Sequence, residues 1–192
     1  HLHVFLPVAT SFVPMPYNDS HGNLCVGPTD VVAIRSLRCD GEFSCHNLPG
    51  LVGLVSIAEY KRKHIWNGTE YSSMYVYGPD NGDRKLRHTV KGKNVPALLL
   101  LSNGKMLVSF YDQGLMIVDP DTFRQEALID SDSGLRTLSR SCITLKEFPV
   151  NEVWIGSYNS GLGRINLLTG DNAVYDRENG LPSNDILSIS PD

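Results

Sequence analysis

The sequence predicts an all-β fold, a β-propeller built of four-stranded antiparallel blades, and three observations carry that prediction. First, residues 105–122 superimpose on 152–169 at a constant offset of 47, matching Tyr111 with Tyr158, Gly114 with Gly161, Leu115 with Leu162 and Thr122 with Thr169. Second, the pairs Leu6-Pro7, Leu48-Pro49, Val95-Pro96, Leu135-Arg136 and Leu181-Pro182 recur at spacings of 42, 47, 40 and 46 residues. Third, each unit reads as short apolar runs separated by Gly- and Asn-bearing turns, with no convincing helical period. A unit of this size cannot bury both faces of its own small sheet, whereas radial stacking buries both and leaves only short edges. Helical solenoids of this period need helices, and leucine-rich repeats need a shorter period, so neither fits.

The markers divide the chain into repeats at about 6–47, 48–94, 95–134 and 135–180, with 181–192 opening a further unit. The first repeat is the weakest, with Gly22-Asn23-Leu24-Cys25-Val26-Gly27 placing Cys25 where later repeats have Trp66, Leu107 and Trp154. In the second, Ile65-Trp66-Asn67-Gly68-Thr69 aligns with Val153-Trp154-Ile155-Gly156-Ser157 at an offset of 88. Ala58–His64 has helical propensity, yet the alignment makes it the hairpin between strands a and b. In the fourth repeat strand a is read around 141–146, b at 152–157, c at 162–166 and d at 172–176. The run Asp185-Ile186-Leu187-Ser188-Ile189 is then the first strand of a fifth unit.

Composition excludes several classes of function. The 192 residues are 41% hydrophobic and 20% charged, and 17 Lys plus Arg against 21 Asp plus Glu leave a net charge of −4. The basic residues are scattered, so there is no electrostatic footprint for nucleic acid. The apolar run Ala97–Leu101 falls far short of the roughly 20 residues a membrane-spanning helix needs. The opening His-Leu-His has no basic n-region, so a secretory leader is not expected in the sequence as it stands. Four cysteines, Cys25, Cys39, Cys45 and Cys142, fit no CxxC pattern; Cys39 and Cys45 are near enough to pair, and two free thiols is the other reading.

The phrase Asn179-Gly180-Leu181-Pro182-Ser183-Asn184-Asp185-Ile186-Leu187-Ser188-Ile189, with Val153-Trp154-Ile155-Gly156-Ser157 and Gly161-Leu162-Gly163-Arg164-Ile165-Asn166, resembles the two-component regulator propeller repeat. The likeness is strong in 135–192, moderate in 48–134 and poor in 1–47. It implies a portion of a larger propeller, usually of about seven blades, in the periplasmic sensor region of a hybrid two-component histidine kinase. It further implies an oligosaccharide or other small glycan as ligand and a homodimer formed through the parent protein. Membrane and kinase parts would lie outside these repeats.

Each candidate residue also has a plain structural role open to it. Trp66 and Trp154 open b strands at a position that also accepts Leu107 and Cys25, so they are expected to pack between blades. Gly68 and Gly156 follow two residues later, where close backbone approach inside a sheet is expected. Asp130-Ser131-Asp132-Ser133-Gly134 looks like the start of a calcium loop but aligns with the turn Asp176–Gly180, and Leu135 and Leu138 lie where ligands would be needed. The six histidines are dispersed without metal-ligand spacing, and no nucleophile elbow, P-loop or acid/base pair is evident; no cofactor or metal is expected. Lys61-Arg62-Lys63-His64 reads as a solvated hairpin tip. Asn67-Gly68-Thr69 is a glycosylation sequon inside a predicted strand, and is taken as coincidence.

Chain connections alternate between the two ends of a meander, so b-to-c and d-to-a loops share one face. That face is expected to carry Tyr71, Tyr111 with Asp112, and Tyr158 with Asn159 from the b-to-c loops, and Arg136, Arg140, Ser183 and Asn184 from the d-to-a loops. A tyrosine beside a carboxylate or amide suits a sugar, whose flat C–H face stacks on the ring while its hydroxyls find polar partners. It equally suits a template tyrosine buried with its hydroxyl at the rim. The functional expectation is a non-catalytic ligand-sensing module that signals to a histidine kinase. The alternatives are a propeller-type carbohydrate-active enzyme and a protein-interaction propeller.

Overall fold

The computed structural model describes residues 17–18, 24–26, 33–37, 43–47, 54–61, 64–69, 73–80, 83–91, 94–129 and 140–190, the first four segments as backbone only. They form sixteen strands in four sheets. Sheet I holds β1 (Tyr17–Asn18), β2 (Leu24–Val26), β3 (Ala33–Leu37) and β4 (Phe43–Asn47). Sheet II holds β5 (Leu54–Tyr60), β6 (His64–Thr69), β7 (Ser73–Asp80) and β8 (Asp83–Lys91). Sheet III holds β9 (Leu98–Leu100), β10 (Met106–Phe110), β11 (Gly114–Val118) and β12 (Gln125–Ile129). Sheet IV holds β13 (Cys142–Glu147), β14 (Glu152–Ser157), β15 (Leu162–Asn166) and β16 (Asn172–Tyr175).

Each sheet is an antiparallel meander whose spatial order equals its chain order. The four strands of sheet IV begin and end within one residue of the a, b, c and d strands expected from the repeat. The stretch expected to be strand despite helical propensity is indeed a hairpin. Glu59 pairs with Ile65 and Tyr60 with His64, and Lys61 turns the chain at φ 50. The sheets are all-β, and the short 3-10 segment Arg177–Asn179, which Asp176 caps, follows β16.

Side chains in a strand alternate between its two faces, so one strand can supply two cores. In β10, Met106, Val108 and Phe110 join Ala58, Trp66, Met74 and Val76 of sheet II in one cluster. The intervening Leu107 joins Cys142, Val153, Ile155 and Ile165 of sheet IV in another. Sheet III is therefore packed on both faces, with β9 lying against both β5 and β13. Successive first strands thus gather on one side, which is a propeller-like arrangement.

The repeat position shared by Trp66, Leu107 and Trp154 looks away from the preceding sheet. Trp66 is fully buried against sheet III, and Leu107 fully buried against sheet IV. Trp154, on the far face of sheet IV, is only half-buried; it stacks on Tyr175 at 6.1 Å and donates from Nε1 to the Phe148 carbonyl at 2.8 Å.

Residues 181–190 run on from sheet IV without a ladder, the Ile186 amide donating to the Ser157 carbonyl at 3.0 Å as the Val95 amide does to the Thr69 carbonyl at 3.1 Å. A strand exists through its paired neighbour, and among the described residues none pairs with this segment. Asn67, in the sequon, is fully buried with its amide donating to the carbonyls of Ile65 and Tyr75, so the folded chain does not present it to a glycosylating enzyme. Cys142 is a buried free thiol, while the pairing of Cys39 with Cys45 and the loop 130–134 lie outside the described residues.

Candidate ligand face at the b-to-c loops

The hairpins β10–β11 and β14–β15 turn through Asp112 at φ 62 and Asn159 at φ 63. Left-handed backbone is unfavourable for most side chains, but Asp and Asn tolerate it because their short polar groups bond locally. Preceding each is a tyrosine whose ring stays in solvent, Tyr111 at 51% exposure and Tyr158 at 56%. The rings are not buried, as a purely template role would have them.

Main-chain bonds seat each hairpin on the loop entering the same or the following sheet. The Tyr111 amide donates to the Asn94 carbonyl and the Tyr158 amide to the Ser141 carbonyl, both at 3.0 Å. The Asp112 amide donates to the Arg140 carbonyl at 2.8 Å, and the Gly161 amide to the Asn184 carbonyl at 2.8 Å. The topological expectation that b-to-c and d-to-a loops share one end is therefore realised in these two sheets. Tyr71 and Arg136 lie outside the described residues.

Asn184 is placed differently from its expected role. Its side-chain oxygen accepts from the Arg177 amide at 2.9 Å, so that acceptor braces the turn after β16. Sequence reasoning missed its neighbour Asp185, whose Oδ1 accepts from the Asn159 amide at 2.8 Å and locks the Tyr158 hairpin. It also missed the hydroxyls at the ends of the b strands. Thr69 Oγ1 donates to the Ser73 carbonyl at 2.6 Å and Ser157 Oγ to the Gly161 carbonyl at 2.8 Å. The offset of 88 that pairs Trp66 with Trp154 also pairs Thr69 with Ser157, so the signal was present in the repeat.

The perturbed carboxylates sit at the opposite ends of the sheets. Lys61 Nζ bonds Asp121 Oδ2 at 2.7 Å and Tyr60 donates to the same oxygen at 2.8 Å, joining sheet II to the β11–β12 loop. Lys105 Nζ lies 2.7 Å from both Asp119 and Glu126. The Lys105 ammonium, helped by Thr122, holds the Asp119 carboxyl well below the usual carboxylate range, and Lys61, helped by Tyr60, does the same for Asp121. Glu147 ties sheet IV to sheet III by accepting from Ser102 N at 2.6 Å and from Ser102 Oγ at 2.8 Å. Asp121 and Glu147 join neighbouring sheets, whereas Asp119 and Glu126 are held by Lys105 within sheet III. Among the described residues no group of three or more His, Cys, Asp or Glu is arranged to hold a metal ion.

No protein-family model and no curated protein matches the chain. Solved structures do. The extracellular domain assigned to the hybrid two-component system BT3049 of B. thetaiotaomicron superimposes with a TM-score of 0.71 at 19% identity, over 94% of this chain and 25% of that one. A streptogramin B lyase superimposes at TM-score 0.68 and 17% identity, over 88% of this chain and 56% of that one. Virginiamycin B lyase from Staphylococcus aureus gives 0.67 and 14%, over 88% and 57%. These likenesses establish the propeller-like fold. The chain spans between a quarter and three-fifths of the length of these structures.

Proposed function

We propose that the chain is part of the extracytoplasmic sensor of a hybrid two-component system, recognising a glycan-derived oligosaccharide and signalling to a histidine kinase through a dimer of the parent protein. The observation that carries the reading is the repeated pair at one end of sheets III and IV: half-exposed Tyr111 beside Asp112, and half-exposed Tyr158 beside Asn159. A ring open to solvent with a polar group fixed next to it can stack on a pyranose and bond its hydroxyls. The sequence resemblance in 135–192 and the superposition on a two-component extracellular domain support the sensor setting. The half-covered far face of sheet IV supports membership of a larger ring, in which a further unit would complete the cover of Trp154, and the resemblance alone suggests about seven blades. Any ligand must favour one arrangement of the dimer, because equal affinity for both shifts nothing.

The superposition on streptogramin-type lyases favours a second reading, a propeller enzyme. Calorimetry against candidate polysaccharides, with product analysis of the same mixtures, separates the two. Saturable heat without chain cleavage, lost in Tyr111→Ala and Tyr158→Ala variants that retain the wild-type circular dichroism spectrum, supports the sensor. New reducing or unsaturated ends would overturn it.

A further inference from the structure

Sheet II differs in charge from the rest of the chain. Residues 61–93 hold eight of the 17 lysines and arginines and three of the 21 acids, a net of +5 against −9 for the remaining residues. Cations that read as scattered along the sequence are thus gathered in one unit, and charge asymmetry of this kind points to an anionic partner. Half of the eight lie on the outer strand. β8 carries Arg84, Lys85, Arg87 and Lys91, whereas the other outer strands, β4, β12 and β16, have no lysine or arginine. At nine residues β8 is also the longest described strand, and among the described residues no strand pairs with its outer edge.

The fold gathers further cations at one end of this strand. Gly78 of β7 pairs with Lys85, and a Cβ on Gly78 would lie 3.0 Å from the Arg87 Cγ and 3.0 Å from the His64 ring, so Arg87 and His64 flank the same glycine. His64 directly follows Lys61-Arg62-Lys63, the connection from β5 to β6. Asp80 and Asp83 close the β7–β8 hairpin and are, with Glu70, the acids of the segment. Lys85, Arg87 and Lys91 are exposed. Arg87 donates to the Pro79 carbonyl at 2.5 Å, which fixes its guanidinium on the hairpin, and among the described residues no carboxylate lies within ion-pair distance of Lys85 or Lys91.

Two kinds of anionic partner fit this strand poorly. A peptide adding as a further strand needs a regular edge, yet the ladder shifts between Val76 and Tyr77 and leaves Arg87 as an extra residue; a bulge with cations is what blunts an edge against strand addition. Single-stranded nucleic acid stacks its bases on aromatic rings, and the exposed residues of β8 include none. We propose that β8 is a docking surface for an anionic polysaccharide, one bearing a carboxylate on successive sugar units, held along the strand by Lys85, Arg87 and Lys91. A nine-residue strand runs for roughly 30 Å, long enough for several sugar carboxylates to meet cations at once. Arg offers a carboxylate a planar fork and Lys a point charge. The choice of a glycan rests on the sensor reading above, but the surface is the outer rim of sheet II and not the loops of Tyr111 and Tyr158.

The test is calorimetry of the whole chain against polygalacturonate, with neutral dextran as the uncharged probe. Polygalacturonate should bind saturably and dextran should not bind at this surface. Raising salt from about 50 to about 200 mM should weaken binding about tenfold, as counterion release from two or three contacts gives. Lys85→Gln with Lys91→Gln should weaken it about tenfold, since each cation facing an anionic surface is worth a factor of a few. Lys146→Gln with Arg177→Gln removes the same charge from sheet IV and should leave it nearly unchanged. Tyr111→Ala and Tyr158→Ala should also leave it unchanged, so this proposal and the loop-face reading fail separately. No saturable binding at the lower salt, equal losses in the two charge variants, or loss in the tyrosine variants would overturn the proposal. Tighter binding of polyglutamate or of phosphatidylglycerol vesicles, lost with Lys85 and Lys91, would also overturn it by making a peptide or a lipid surface the occupant.

Discussion

Gly156 of β14 and Ile186 approach so closely that a Cβ on the glycine would lie 2.8 Å from the Ile186 carbonyl oxygen. The same relationship recurs two repeats earlier, where a Cβ on Gly68 would meet the Val95 carbonyl, and one repeat earlier, between sheets III and IV, where Ser109 Oγ donates to the Cys142 carbonyl at 3.3 Å. At each step the chain entering the next unit lies on the fourth or fifth residue of the preceding b strand. This contact sets the spacing of neighbouring units near their first strands.

Gly156→Ala should therefore destabilise the chain by about 1–3 kcal/mol, the usual cost of overpacking a closed site. Gly170→Ala, where an added Cβ meets nothing within 4 Å, should lose only the smaller cost of a left-handed alanine. Urea denaturation checks this: the midpoint of the first variant falls well below that of the second.

Trp66 and Trp154 occupy one repeat position but differ in burial. Trp66→Ala should cost about 3–5 kcal/mol, as large aromatic deletions in closed cores do. Trp154→Ala should cost distinctly less, because its ring already meets solvent. Equal losses in thermal or urea unfolding would contradict the assignment of Trp154 to an uncovered face.

Asp119 and Asp121 have folded-state pKa values below their unfolded ones. Their contribution to stability is full above about pH 4, the unfolded carboxylate value, and is lost as pH falls toward the depressed folded values. Asp121→Asn should flatten the acid limb of a stability profile, and Lys61→Gln should flatten it too, since without the ammonium the folded and unfolded values of Asp121 converge. Near neutrality both changes should be small, since the pair is solvent-exposed.

Burial pushes the Cys142 thiol from 9.0 up to about 12 and the Tyr77 phenol from 10.0 up to about 12. Both raised values mean stability that is complete below the unfolded pKa and is lost as pH rises through the interval to about 12. In the native state at pH 8, iodoacetamide should leave Cys142 unlabelled, and labelling should appear in step with urea unfolding. Peptide mapping by mass spectrometry reads this site by site. Rapid labelling of folded protein would show the thiol is reachable.

Much of the architecture was legible because a repeat states the same local rule several times. Period, turn residues and alternation placed all four strands of 135–180 and identified the inward-looking position of Trp66 and Leu107. The expected loop face was legible as topology, and the hairpins at Asp112 and Asn159 were legible as turn chemistry. The use of Asn184 was not, since a motif names an amide without saying which neighbour takes it.

By itself, then, the sequence determined what each unit is: a meander whose strand faces, turns and glycines follow from local preference repeated at a near-constant period. Only the tertiary structure decided how units meet. Lys61 reaches Asp121 across sixty positions, Ser102 finds Glu147, Phe123 takes a glycine's backbone conformation to cover Trp66, and the indole of Trp66 is left without an acceptor. These depend on distances between sheets, which packing sets and no single repeat encodes.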